Sequence, residues 1–275
     1  GYALADALAG VPFAVATPIP PTITDEVTVT PSTIQSNKVN GRRLILAPGN
    51  YGNQTFGTQD QEIVIQPGVE IGTLGFDRTA QRLHFRAEPE RSGRIRTVST
   101  GGSWNNPISD LMFEGLNVDD TGSPDQNQWH GTRVAIINSS VRASSYAMGN
   151  FHEVSDFIVA NNHIYTYGST QANMRSHSAQ RYVVVDNRLQ KSGSGHHTLR
   201  VHGTDSGRMA HNIYIARNQL DGARVAIRGT GSLGAENGGT SGASAGIDTV
   251  WFEDNVIYQP GDNNALFSTG KNTHD

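Results

Sequence analysis

Four segments in the second half of the chain repeat one template. VANNHI, VVDNRL, IARNQL and FEDNVI each place an asparagine (Asn162, Asn187, Asn218 and Asn255) two residues ahead of an aliphatic residue (Ile164, Leu189, Leu220 and Ile257). Ser139 stands in the same way before Val141. An asparagine returning at the bend of successive turns can bond its equivalent one layer away, at ~4.8 Å, which stacked coils permit and sandwiches generally do not. The template closes a β-rich run, and nine such runs recur: LIL at 44, IVI at 63, LHF at 83, LMF at 111, VAI at 134, FIV at 157, YVV at 182, IYI at 213 and VWF at 250. Their starts lie 19, 20, 28, 23, 23, 25, 31 and 37 residues apart. That is too irregular for a helical array and too long for simple hairpins.

A second kind of segment follows after a turn: AMGNFH at 147, NMRSHS at 173, HTLRVH at 197, RVAIRG at 224 and ALFSTG at 265. It alternates with period two. Met148, Met174, Leu199, Val225 and Leu266 are expected to point inward, with Asn150, Ser176, Val201, Ile227 and Ser268 as the next inward positions, so the residues between them face water. The expected fold is all-β: a single-stranded right-handed parallel β-helix, a pectate-lyase-like solenoid, over residues 41–275. Residues 1–40 are expected to form an N-terminal cap over the open first coil, with GYALADALAGVPFAVAT as its helical part. A β-propeller would need four antiparallel strands per blade at a fixed period, and the spacing shows none.

Composition narrows the class. With 17% charged and 36% hydrophobic residues and no like-charge block, the chain is neither a disordered acidic chain nor a basic tail. The absence of cysteine excludes disulfide frameworks, zinc-thiolate sites and thiol nucleophiles. The one long uncharged stretch, residues 7–24, holds Pro12, Pro18, Pro20 and Pro21, so no membrane insertion is expected. A Gly/Ser-rich excursion at 229–246 reads equally as a lid and as an insertion without function.

If the register of the second segments holds, three adjacent coils present a grid on their outer wall. Its rows are Asn173, Arg175 and His177; Thr198, Arg200 and His202; and Arg224, Ala226 and Arg228. Adjacent rows sit ~4.8 Å apart, and like charges so close are costly unless something anionic lies between them. Residues 150–230 carry 9 Arg and Lys against 5 Asp and Glu, and seven of the ten histidines, within a chain of net charge −4. Arginine forks bind planar oxyanions, so the expected partner is an acidic polysaccharide bearing regularly spaced carboxylates or sulfates. Nucleic acid is not expected, given a pI near 6.2 and no aromatic ladder beside the grid. Phe151 flanks the grid, either as a surface for sugar stacking or partly buried under loops, and Lys191, the only lysine nearby, reads as a solvated residue in the turn before HHTLRVH or as a substrate contact. The plainer alternative is that Arg and His alternate outward only because outward positions must be polar.

The order NMRSHSAQRYVVVDNRL, HHTLRVHGTDSGRMAHNIYIARNQL and ARVAIRGTGS resembles that of polysaccharide lyase family 6, which includes alginate lyases and chondroitinase B, and the likeness runs from residue 41 to about 257. The resemblance implies a secreted or periplasmic protein, any leader being absent or already removed, that cleaves a uronate polymer by β-elimination with Arg200 as catalytic arginine. Arg175 occupies the family's lysine position, and Val201 separates Arg200 from His202. Elimination needs the carboxylate neutralised, the C5 proton removed and a proton delivered to the departing oxygen. Arg175, Arg200 and Arg228 suit the first task, and His177 and His202 the proton transfers, since arginine stays protonated. Asn173, Thr198, Arg224, Arg228, Phe151 and Lys191 are the expected substrate contacts. Calcium is the ion such enzymes use to bridge acidic sugars, with Glu153, Asp156 and Asp205 as candidate ligands, but no loop has clear oxygen-ligand spacing and no metal or cofactor is assigned. The alternative is a non-catalytic polysaccharide-binding or structural module, such as a phage tail-spike or surface adhesin.

Overall fold

A computed structural model describes residues 1–77, 79–99, 108–119, 128–144, 150–168, 173–192, 197–203, 209–222, 224–228, 247–258, 267–269 and 273–274. Its strands form three sheets in which every pairing is parallel. The first runs through eleven strands, from Asp25–Val29 and Arg42–Leu46 to Ile247–Glu253 and Thr273–His274. The second follows from Gly49–Asn50 to Val256–Tyr258, and the third from Gln128–Trp129 to Phe267–Thr269. The chain visits them in rotation, as in Met174–His177 of the third, Gln180–Val185 of the first, Arg188–Lys191 of the second and then His197–His202 of the third. Each visit adds one strand beside its predecessor. The arrangement is mostly β and compatible with a parallel β-helix. No helix among the described residues is long and apolar enough to cross a membrane.

The asparagine template does what its spacing predicts. Asn162 Oδ1 accepts from the Ser139 backbone N–H at 2.8 Å, Asn187 from that of Asn162 at 3.0 Å, Asn218 from that of Asn187 at 3.0 Å and Asn255 from that of Asn218 at 3.0 Å. Each side-chain amide also donates back to a carbonyl, as Asn187 Nδ2 does to Val159 O at 2.8 Å. Asn162, Asn187 and Asn218 are buried, so the ladder satisfies backbone N–H groups that water does not reach.

The interior is filled by the inward rows. Aromatic rings dominate the early layers: Phe85 stacks on Phe113 with centroids 5.4 Å apart, and Phe151 meets Phe157 at 4.6 Å. Later layers are aliphatic, with Leu199, Val201, Ile213, Ile215, Leu220 and Val225 buried.

The first sheet is apolar on both faces, and the N-terminal segment is the reason. Its middle strands read as continuous hydrophobic runs, such as Phe157–Ile158–Val159–Ala160, which need cover on each side. Ala135, Ile137, Ile158, Ala160, Val183 and Val185 form a second core on the outer face, against Ala7 of the short helix Leu4–Leu8 and the side chains of Leu4, Leu8, Val11, Phe13 and Val15. The helical part of the expected cap therefore lies on this outer face, while Ile34 of the short helix Ile34–Asn37 is buried in the main core with Val29, Leu44 and Leu46. Residues 2–22 run along the flank of the first sheet, and Asp25–Val29 already pairs with Arg42–Leu46 as a strand of it.

A periodic contact holds this strap. Asp60, Arg82, Asp110, Arg133, Asp156 and Arg181 occupy equivalent bulge positions of successive strands, all with φ between 50° and 58°. A non-glycine residue in that region costs roughly 1–2 kcal/mol. The ion pairs between neighbours offset it: Arg82, Arg133 and Arg181 each fork onto the preceding aspartate with two bonds of 2.6–2.7 Å. The same aspartates accept backbone N–H groups of the strap, from Thr22 to Asp60 at 3.1 Å, Ile19 to Asp110 at 3.0 Å and Ala16 to Asp156 at 3.0 Å. Three residues of a polyproline-like chain advance about 9.3 Å, and two strand spacings amount to about 9.6 Å. The two periods match, which places a donor over every second layer. Pro18, Pro20 and Pro21 fall only between the donors.

These aspartates make the flank sensitive to acid. Arg82 holds the Asp60 carboxyl below its ordinary range. Burial pushes Asp110, Asp156 and Asp186 up, but the forks from Arg133, Arg181 and Arg217 outweigh it and hold them low. A depressed folded-state pKa stabilises above the unfolded value, about 3.9, and that stabilisation is lost as pH falls through the lower folded values. Trp251, whose ring lies 5.4 Å from Phe13, reports the strap. Its fluorescence and the melting temperature should hold steady down to about pH 4 and change together below it, whereas a flat response to about pH 2 would contradict this account. Asn187→Ala should lower stability to urea by about 2–4 kcal/mol, because the Asn162 N–H and the Val159 carbonyl lose their partner without access to water.

Candidate functional site

The third sheet brings most of the expected grid together. Arg175 pairs with Arg200, His177 with His202, and His202 in turn with Arg228. Met174 and Leu199 point into the main core, as do Ser176's pairing partner Val201 and, beside it, Ile227, so Arg175, His177, Arg200 and His202 lie on the opposite, outer side.

That outer side is not open to water. Arg175 is 7% exposed, His177 4%, Arg200 4% and His202 1%. The expectation of a solvent-facing wall is thus corrected: the side chains are ordered in a covered layer. Arg175 Nε donates to His202 Nε2 at 3.2 Å, and His202 Nδ1 lies 3.0 Å from the Gly203 carbonyl. A guanidinium N–H can only donate and a carbonyl can only accept. His202 is therefore a neutral imidazole with its proton on Nδ1 and its lone pair on Nε2. The His177 and His202 rings lie 3.9 Å apart between centroids, at 57°.

Other expected contacts leave the grid. Phe151 pairs with Ser176, an inward position, and is 1% exposed in the aromatic core, because the register of its strand differs by one residue from the expected one. Asn150 consequently comes beside Arg175. Thr198 is skipped at a register shift between His197 and Leu199, which aligns Arg224 with His197 instead; the Thr198 hydroxyl donates to Asp221 O at 3.3 Å. Asn173 is fully buried, and its side-chain amide donates to the carbonyls of Ile164 and Gln190, tying the second sheet to the third. Lys191 is not a solvated turn residue. It ends the strand Arg188–Lys191 at 4% exposure, with Nζ donating to Gly168 O at 2.8 Å, and burial lowers its pKa.

The Asp156 carboxylate is committed to Arg181 and to the strap, on the first sheet rather than beside the grid, and is no calcium ligand. Among the described residues no group of three or more His, Cys, Asp or Glu is placed to hold a metal ion. Asp205 and the 229–246 excursion lie outside the described residues.

Two histidines were missed. His152 pairs with His177, and Trp129 pairs with Phe151, so His130, the next residue, comes into the same line. His152, His177 and His202 thus occupy one register line on three successive strands, and His130, just past the end of the strand Gln128–Trp129, continues it. The signal was present in QWH, NFH, RSH and RVH, each with its histidine one residue after an inward position.

Compared with models of known protein families, with curated proteins and with solved structures, the chain matches none.

His202→Ala should destabilise the protein by about 1–3 kcal/mol, since the Arg175 Nε–H loses its buried acceptor. Arg200→Ala should also lower the melting temperature, by several degrees, because the side chain is nearly all buried. An unchanged melting temperature in both variants would show that the layer opens in solution.

Proposed function

We propose that the three sheets wind into a single right-handed parallel β-helix whose third sheet binds an acidic, uronate-containing polysaccharide and cleaves it by β-elimination. The observation that carries the reading is the pairing of Arg175 with Arg200 on adjacent strands, beside a histidine that Arg175 itself holds neutral. Two guanidinium groups carried on strands about 4.8 Å apart suit a carboxylate and would stabilise the charge that spreads onto it as the C5–H bond breaks. His202 carries a lone pair on Nε2 and takes the C5 proton once the substrate carboxylate draws Arg175 away. The electron pair forms the C4–C5 double bond and the C4–O bond breaks. His177, in contact with His202, delivers a proton to the departing oxygen. Such a substrate places the protein outside the cytoplasm, secreted or periplasmic.

Burial of all four side chains favours a second reading, in which the β-helix holds polysaccharide or is purely structural. Incubation with alginate, dermatan sulfate and pectate separates the two. Elimination yields an unsaturated uronate with its own ultraviolet absorbance, which His202→Ala and Arg200→Ala should each reduce by about 100-fold or more. Retention on a uronate polymer with no absorbance from any of the three would favour the binder.

A further inference from the structure

The second sheet carries an exposed face that the cluster on the third sheet does not use. Tyr165 pairs with Gln190, Gln190 with Asp221 and Asp221 with Tyr258, so four layers present these side chains in one outward row. Arg188 and Gln219 stand beside them in the next row. A groove of about 680 Å3 runs over these six residues and over Lys191 and Val256 beside them, within the range of about 300–1,000 Å3 typical of small-ligand sites. Tyr258 is 62% exposed, an unusual state for a large aromatic side chain on a strand.

The chemistry of the groove is specific. Its two ends are tyrosine rings three layers apart, about 14 Å. Between them lie planar hydrogen-bonding groups whose charge is already balanced. Asp221 accepts from Gln219 at 2.8 Å and from Gln190 at 3.3 Å, and Arg188 Nε lies 3.5 Å from it. Gln190 Oε1 is fixed by His163 Nε2. The carboxylate is thereby held by two carboxamides and paired with Arg188, whose side chain stays half exposed. Carboxamides and a paired guanidinium between aromatic platforms suit hydroxyl groups and the apolar faces of pyranose rings. Lys191, the second cation of the lining, is buried with its ammonium on the Gly168 carbonyl, so the accessible charges are the paired Arg188 and Asp221, while the exposed Val256 beside Tyr258 adds an apolar patch for a sugar face.

We propose that this groove is a glycan-binding site for an uncharged, hydroxyl-rich saccharide chain, distinct from the arginine–histidine cluster and independent of whether that cluster cleaves uronates. The test is a glycan array holding neutral and uronate oligosaccharides, followed by titration calorimetry with the best neutral ligand. A neutral glycan of three or more units should bind, and Tyr258→Ala should weaken it about tenfold. Gln219→Ala, at another exposed position, should weaken it as well, with the melting temperature of both variants unchanged. An excess of alginate oligomers should not compete. The proposal is overturned if the array shows no neutral ligand, if Tyr258→Ala and Gln219→Ala both bind as the unsubstituted protein does, or if alginate displaces the neutral glycan. Loss of the uronate elimination activity with binding intact would refute only the reading of the third sheet.

Discussion

Parallel, in-register hydrogen bonding between successive strands is the constraint on which everything else in this molecule rests. A one-residue slip in a strand would turn its inward row outward, so something must pin each layer to the next. The buried amides of Asn162, Asn187 and Asn218 do this at one corner, each bonding both the backbone and the side chain of its neighbour. Because the ladder fixes one corner, the strands that follow it are aligned as well. Arg175 meets Arg200 on the third sheet, and Gln190 meets Asp221 on the second, as consequences of the same register.

The repeated element was readable because its signal is covalently local. Asparagine two residues before an aliphatic position is visible in a string, and so is period-two alternation, which is why the strands from Gly131–Ile137 onward and the pairing of 175 with 200 and of 202 with 228 could be anticipated. The strap was not readable. Its polar anchors over residues 16–22 are backbone N–H groups on three aspartates, a contribution that every residue but proline can make, so no side-chain pattern announces that part of it. The clue lay instead in the double-sided hydrophobicity of the middle strands, which demanded a cover. The misplacement of Phe151 and Thr198 has a different origin. Thr198 sits at a register shift, and the strand of Phe151 takes the opposite phase from the expected one; alternation alone locates neither.

Outward position and exposure are separate properties here. Arg175, His177, Arg200 and His202 point away from the core and yet are nearly all buried. A charged group in that state needs fixed partners, and the bond from Arg175 to His202 gives the imidazole a defined tautomer before any ligand arrives. The second sheet shows the opposite condition: Tyr258 and Arg188 remain accessible, and the charge of Asp221 is balanced by its neighbours. One register thus yields a covered, cationic face and an open, neutral one.

The strap has a consequence for how such a molecule can change in length. Aspartate and arginine alternate along the flank, and only the aspartates accept from the strap, so its phase repeats every two layers and not every one. Duplicating or deleting a single layer beneath it would bring arginine under a backbone N–H and put two donors face to face. Beneath the strap, then, viable insertions come in pairs of layers. Where Asn212 and Thr249 take the place of the alternating charges, the strap meets the sheet through apolar contacts such as that of Phe13 with Trp251, which carry no donor–acceptor phase of two layers.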